Sequence, residues 1–473
     1  MKRGIHISSL ATVLIVNNAC SLIYDFKKDY PDSSEAHSGG TSGDMSHTSN
    51  TGGSRSQESR MTSRGGTSSQ LNSTPSSGGV AEVNPLYSFG GTFAQVNTTI
   101  TNGGMSSVGG MSSVGGTSSF PITNGKATSV CVGEAHSCAL VNGTVYCWGS
   151  NNAGQLGSGS SADSIGIPVK VADPLSNKLV TALACGTDHT CAVAENKAYC
   201  WGSNTYGKSG NIVSAPSLSP VAISTLTNVT NLALGYDHSC AISNKMAYCW
   251  GKNENGQLGN GSTQNSTTPV SVTTTPGILE GDVTALVAGG ANTCALQNGS
   301  AYCWGSDTFG SVGIAGNGSD VKSPAKVVNP ASVNLSLITT GYEHSCAIKS
   351  GLLYCWGCNN WRELGYDGGD SSIPVAATNL NTKGAITLAA AGFAATCAVA
   401  AGELYCLGRS DQGQIGIFGD SIALGNKIDF EIPGATITSV SIRNHACAVV
   451  NGNVYCWGES VDSSLKPRLI TFQ

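Results

Sequence analysis

The chain has 473 residues, 62 of them glycine and only 11% charged, a balance that fits a turn-rich all-β architecture better than a helical one, whose exposed faces need more Lys and Glu. A formal net charge of −5 gives no basic stripe with which to displace counterions, so nucleic acid is excluded as an expected partner. Eighteen cysteines without a metal-binding spacing point to an oxidising compartment, because thiols kept reduced gain nothing structural from such density.

At the start, Lys2 and Arg3 precede a largely apolar run from Ile5 to Val16, followed by Asn17, Asn18, Ala19 and Cys20. Residues 1–20 therefore read as a signal peptide, too short to span a bilayer, and no later stretch reads as a transmembrane helix. Cys20 stands where bacterial lipoprotein signals place the lipid-modified cysteine, and Ala19 suits that pattern while Asn17 departs from it. Diacylation of Cys20 would anchor the protein to a membrane; simple secretion is the alternative. Either way an exported location is expected, at the outer surface of the cell envelope or beyond it.

Residues 21–120 are dominated by Ser, Gly, Thr and Asn, including a near-perfect hexad repeat from Gly103 to Gly116, and cannot bury a core. As a flexible coil this stretch would reach roughly 50 to 60 Å, a spacer holding something away from a surface.

Residues 121–473 repeat themselves. The pairs Cys138 and Cys147, Cys191 and Cys200, Cys240 and Cys249, Cys294 and Cys303, Cys346 and Cys355, Cys397 and Cys406, and Cys447 and Cys456 are each nine positions apart and mark seven units of about fifty residues. In the first unit Asn142-Gly143 lies midway, the preferred two-residue type I′ turn, because both central positions need positive φ. Counting outward from that turn sets Cys138 opposite Cys147 in a non-hydrogen-bonded pair, with Cα atoms about 4.5 Å apart, within reach of a disulfide. Seven cross-strand disulfides are predicted, one per hairpin. Zinc is disfavoured, since two facing thiolates make half a tetrahedral site and the units lack a second pair.

Ala127 to Val132 reads as a first strand, His136 to Val141 and Thr144 to Gly149 as the hairpin, and Ile167 to Ala172 as a fourth strand. Four antiparallel strands make a blade that cannot bury both faces alone, so seven blades around an axis are predicted, a seven-bladed β-propeller. Trp148, Trp201, Trp250, Trp304, Trp356 and Trp457 read as blade-packing residues whose buried indole nitrogens find partners. His136, His189, His238, His344 and His445 read as turn-bracing side chains bonded to backbone, not as a metal ring. Cys131 and Cys185 fall one position apart relative to the histidine, hence on opposite faces of neighbouring blades, and are expected not to bond; with Cys358 they read as buried free thiols.

The recurring string, standing first as His136, Ser137, Cys138, Ala139, then Tyr146, Cys147, Trp148, Gly149, Ser150, Asn151, then Gly154, Gln155, Leu156, Gly157, resembles the repeat of the regulator of chromosome condensation family. The resemblance implies a seven-bladed propeller presenting loops to protein partners. Within that family the eukaryotic namesake promotes nucleotide exchange on a small GTPase and binds chromatin, while a secreted bacterial relative clamps β-lactamases. The cysteines suit a bacterial exported member and weigh against a GTPase partner. Departures occur at Gly207, Lys208, Ser209, Gly210, at Arg362, Glu363, Leu364, Gly365, at Leu407 in place of tryptophan, and after Trp457.

No nucleophile elbow, phosphate loop, paired Glu/His helix or calcium loop is present, so no catalytic residue, cofactor or metal is expected. Positions that vary within a repeated scaffold are the better guide to function. The first turn and third connection of each unit share one end of the propeller, and there the chain carries Glu134, Asp188, Tyr236, Asp237, Tyr342, Glu343 and Phe393, with Tyr206, Phe309 and Trp361 in the third connections. Aromatic anchors in a charged surround compose a protein-binding surface. The expected function is a monomeric, exported, membrane-tethered binding platform for a protein, with a basic partner suggested by the acids. The alternatives are a carbohydrate-binding protein, a hydrolase or lyase with its site in the propeller mouth, and, as in the namesake, nucleotide exchange.

Overall fold

Each hairpin forms where the Asn-Gly arithmetic places it. In the first blade β1 (Ala127–Val132), β2 (His136–Val141), β3 (Thr144–Gly149) and β4 (Ser164–Lys170) pair in that order, and Asn142 and Gly143 take φ values of 49° and 78°. The register runs Val141 with Thr144, Leu140 with Val145, Ala139 with Tyr146 and Cys138 with Cys147. The fourth strand begins three residues earlier than the sequence suggested, at Ser164. The structure, a computed structural model, describes residues 126–473 apart from 214, 274–277, 329–332, 420–422, 459–464 and 473. The signal peptide, Cys20 and the spacer lie outside the described residues.

The unit recurs as seven four-stranded antiparallel sheets, each drawn from contiguous sequence. We number the blades by chain order: Ala127–Lys170, Val180–Ala222, Val229–Ser271, Val283–Lys326, Leu335–Ala376, Ile386–Lys427 and Ile437–Ile470. The second strand of every blade is buried almost throughout because both of its faces meet a neighbour. Apolar side chains sort accordingly into cores between adjacent blades. Leu140 and Val145 of blade 1 pack with Leu183 and Trp201 of blade 2, whereas Val141 and Trp148, on the opposite face, pack with Val449 and Phe472 at the C-terminal end. That last core joins blade 7 to blade 1 and closes the ring.

All seven hairpin pairs are disulfides with Cα atoms 4.0 to 4.1 Å apart. They also belong to the interblade cores: Cys138 and Cys147 sit on the face turned to blade 2.

The expectation for the remaining cysteines is corrected. Cys131 and Cys185 are joined, with Cα atoms 5.5 Å apart. Their positions differ by one residue, as counted, Cys131 lying opposite Cys138 and Cys185 opposite Thr190. The error was geometric. Blades stack face to face, so the forward face of one meets the backward face of the next, and opposite-facing residues of neighbours point at each other. Cys358 is also disulfide-bonded and not a free thiol. The sulfurs of Cys131, Cys138 and Cys185 lie within 4.8 Å of one another, but as disulfides they offer no thiolate to a metal. Among the described residues no helix is long and apolar enough to cross a membrane.

Candidate functional site: the axial end

The histidines do not bond their own turn; they bond the next blade. His136 Nε2 lies 2.9 Å from Thr190 Oγ1, whose single proton goes to the carbonyl of Gln155 at 3.0 Å, so the imidazole is the donor. The same carbonyl accepts Trp201 Nε1 at 2.9 Å. Equivalent pairs join His189 to Ser239, His238 to Thr293 and His344 to Thr396, all at 2.9 Å, and His445 reaches Ser137 at 2.7 Å across the closure. Gly157, at φ +65°, is required here, because a Cβ would lie 2.6 Å from Trp201 Nε1. Burial pushes the imidazoles of His136, His238, His344 and His445 down to about 3, and His189 well below its ordinary value. Buried and neutral, they form a structural ring under the axial end and take no part in its surface chemistry.

Above this ring lie the residues singled out from the repeat. Their aromatic members partly converge: Tyr236 meets Tyr342 edge-on at 6.3 Å, and Tyr342 meets Phe393 at 5.1 Å, linking blades 3, 5 and 6. All three are partly exposed. The third-connection aromatics stand apart, two of them beneath a cation of the following blade. Lys252 Nζ lies 5.0 Å from the Tyr206 ring and pairs with Glu254, and the Arg409 guanidinium lies 5.6 Å from Trp361 and 5.3 Å from Phe393 and pairs with Asp411. Phe309 is partly exposed at φ 58°, the left-handed region that Tyr206 also occupies at 59°.

The acids are largely answered from within. Lys208, 2% exposed, places Nζ 2.6 Å from Asp188 and 2.7 Å from Asp237. Burial alone would pull this ammonium down, yet the two carboxylates hold it above its ordinary value. Arg443 of blade 7, fully buried, lies 3.4 Å from Thr187 Oγ1 and 3.5 Å from the carbonyl of Cys185, both of blade 2, so it spans the axial opening past blade 1. Burial pushes its guanidinium down to about 9 while Glu134 and Asp188 favour the charge. Lys208 was visible in the sequence as a departure from the repeat, but nothing there said that it, with the buried Arg443, would neutralise the acids.

Glu343 differs. Burial, with Asp370 beside it, pushes its carboxyl up to about 7, and burial pushes the neighbouring Glu363 up to about 8. Glu363 is 2% exposed and its Oε2 accepts Trp361 N at 2.8 Å, as Gln155 accepts Ala153 N in blade 1. Glu343 keeps partial access to solvent. The arrangement suits stacking and ion pairing.

The repeat described as Regulator of chromosome condensation (RCC1) repeat matches residues 142–193, 195–242, 246–296, 298–348 and 350–399, more than half of the chain. The chain belongs to this family. Its matched units run from one hairpin turn into the following blade and so straddle the interblade contacts described above. The chain is 29% identical over 350 residues to the Ultraviolet-B receptor UVR8 of Arabidopsis thaliana, covering 72% of this chain and 78% of that protein. It is 30% identical over 321 residues to the probable E3 ubiquitin-protein ligase HERC4 of Homo sapiens, covering 66% of this chain but 30% of that protein. Among solved structures, Prp20p of Saccharomyces cerevisiae superposes with a TM-score of 0.55 at 23% identity, over 66% of this chain and 79% of that one. Human WBSCR16 does so with 0.60 at 18% identity, over 70% and 94%. These two likenesses establish the fold.

Proposed function

We propose that this protein is an exported protein-binding platform that meets its partner with the axial end carrying Tyr236, Tyr342 and Phe393. The observation that carries the reading is the convergence of these three partly exposed rings on a scaffold that elsewhere repeats itself. Large aromatic faces held by a rigid frame lose little freedom on binding, which is why such residues anchor protein interfaces. The printed descriptions of relatives point the same way: Prp20p is described by its binding to Gsp1p and histones, and a complex with Kap60 bound to it has been solved. Disulfides in every blade favour an oxidising location over the compartment of a GTPase partner.

A hydrolytic reading draws on Glu343 and Glu363, whose raised values are those of carboxyl acids near neutrality. Burial of Glu363 and its bond to Trp361 N keep that second carboxyl from a substrate, so the geometry favours binding. The test is affinity capture from envelope extract with the full chain and with a Tyr342→Ser, Phe393→Ser double variant. Specific proteins retained by the native chain and lost by a folded double variant support the reading; equal capture by both overturns the assigned face.

A further inference from the structure

Three acids stand immediately before the histidine position of their blades: Asp188, Asp237 and Glu343. The first two share one ammonium, that of Lys208, which the third connection of blade 2 inserts between them. Around Glu343 the corresponding third-connection positions hold Ser311 in blade 4 and Glu363 in blade 5, and neither is a cation. The charge acting on Glu343 is a second carboxylate, Asp370. Blade 5 thus keeps the acid of this arrangement and lacks the internal lysine.

The surroundings are those of a cation seat. Tyr342 precedes Glu343 in the same turn and packs on Phe393, and Phe393 and Trp361 already carry the Arg409 guanidinium, whose charge is met by Asp411. Aromatic faces and one desolvated carboxylate together recognise an ammonium through the ring quadrupole and a charge-assisted hydrogen bond.

We propose that Glu343, in the same turn as Tyr342, receives a lysine side chain of a partner protein, which takes there the role that Lys208 plays between Asp188 and Asp237. The inference rests on the binding-platform reading and adds the chemistry of the residue that docks. A carboxyl held near neutrality by burial gives up its proton to solvent as the ammonium arrives, so the pair forms as an ion pair.

The probe is a hexalysine peptide, titrated calorimetrically into the full chain at low ionic strength, with hexaglutamate as the charge-reversed control. The native chain is expected to bind hexalysine and not hexaglutamate. Glu343→Gln, which keeps the shape of the side chain, is expected to weaken binding about tenfold, the loss of one ion pair. Glu431→Gln, at an exposed acid paired with Lys466 far from the site, is expected to leave it unchanged. Glu363→Lys sets a lysine where blade 2 has Lys208 and is expected to occupy the seat from within and abolish binding. Absence of hexalysine binding, or binding unaltered by Glu343→Gln in a protein with native circular dichroism, overturns the proposal. Neither result bears on capture through Tyr342 and Phe393, which the extract experiment reads separately.

Discussion

The side chain of His238 links a single residue type to the stability of the whole ring. Its Nε2 donates to Thr293, which passes its own proton to the Gln257 carbonyl at 2.9 Å, so one imidazole fastens blade 3 to blade 4. His238→Ala removes a fully buried ring and leaves a hydroxyl short of a donor, and should cost about 2 to 4 kcal/mol in urea unfolding at neutral pH. The five latching histidines also set an acid limit. The folded values of His136, His238, His344 and His445 lie at about 3 and that of His189 well below the unfolded one near 6.5, so the unfolded chain binds more protons and stability, full above 6.5, falls as pH drops below it. Each histidine withdraws up to about 1.4 kcal/mol per pH unit over that range. Glu343 and Glu363, raised to about 7 and about 8, act in reverse: their contribution is present below about 4.5 and is lost as pH rises through the folded values. Five groups oppose two, so unfolding free energy measured across pH should peak near neutrality and fall steeply on the acid side. A flat profile between pH 4.5 and 6.5 would contradict the neutral, buried assignment.

At the scale of the blade, each hairpin staple closes a separation of 9 residues while the Cys131–Cys185 link closes 54. In the chain-entropy account the longer loop is worth roughly 4 kcal/mol and the shorter roughly 2.5. Replacing Cys131 and Cys185 by alanine should therefore lower the denaturant midpoint more than the same change at Cys397 and Cys406; the opposite order would place the main constraint within hairpins. The hairpins themselves were legible residue by residue, because a two-residue turn of known handedness fixes every partner counted outward from Asn142 and Gly143. The interblade bond was not, although Cys131 and Cys185 were assigned to the correct faces. What failed was the step from one blade to its neighbour, where the partner is set by stacking and not by local period. His136 was misread for the same reason: its hydrogen-bond acceptor, Thr190, lies 54 residues further on. At the axial end the aromatic residues were legible as exceptions to the repeat, whereas the neutralising reach of Lys208 and Arg443 depends on blades that meet only in three dimensions.

For the whole molecule, the ring closes without sharing a strand between its ends, since every sheet is contiguous in sequence. Closure relies on the core around Val449 and Phe472, on His445 with Ser137, and on Val130 N and Val132 N donating to Ser439 Oγ and Ser441 Oγ at 3.3 and 2.9 Å. The junction between blades 6 and 7 has Ala395 and Ala446 where the others have a hydroxyl facing a histidine or, in blade 4, Asn292, and keeps the Trp457 indole on the Gln414 carbonyl, at 3.0 Å, from this set. A ring fastened in this way presents its axial loops already ordered, so that a partner bears little of the cost of organising them. Face-to-face stacking of stapled blades is the claim beneath both the fold and the proposed surface, and non-reducing mass-spectrometric mapping of the disulfides tests it most directly. The face-to-face stack predicts seven hairpin links and a Cys131–Cys185 link; alkylatable thiols at Cys131 and Cys185, or any of the fourteen hairpin cysteines paired outside its own hairpin, would contradict it.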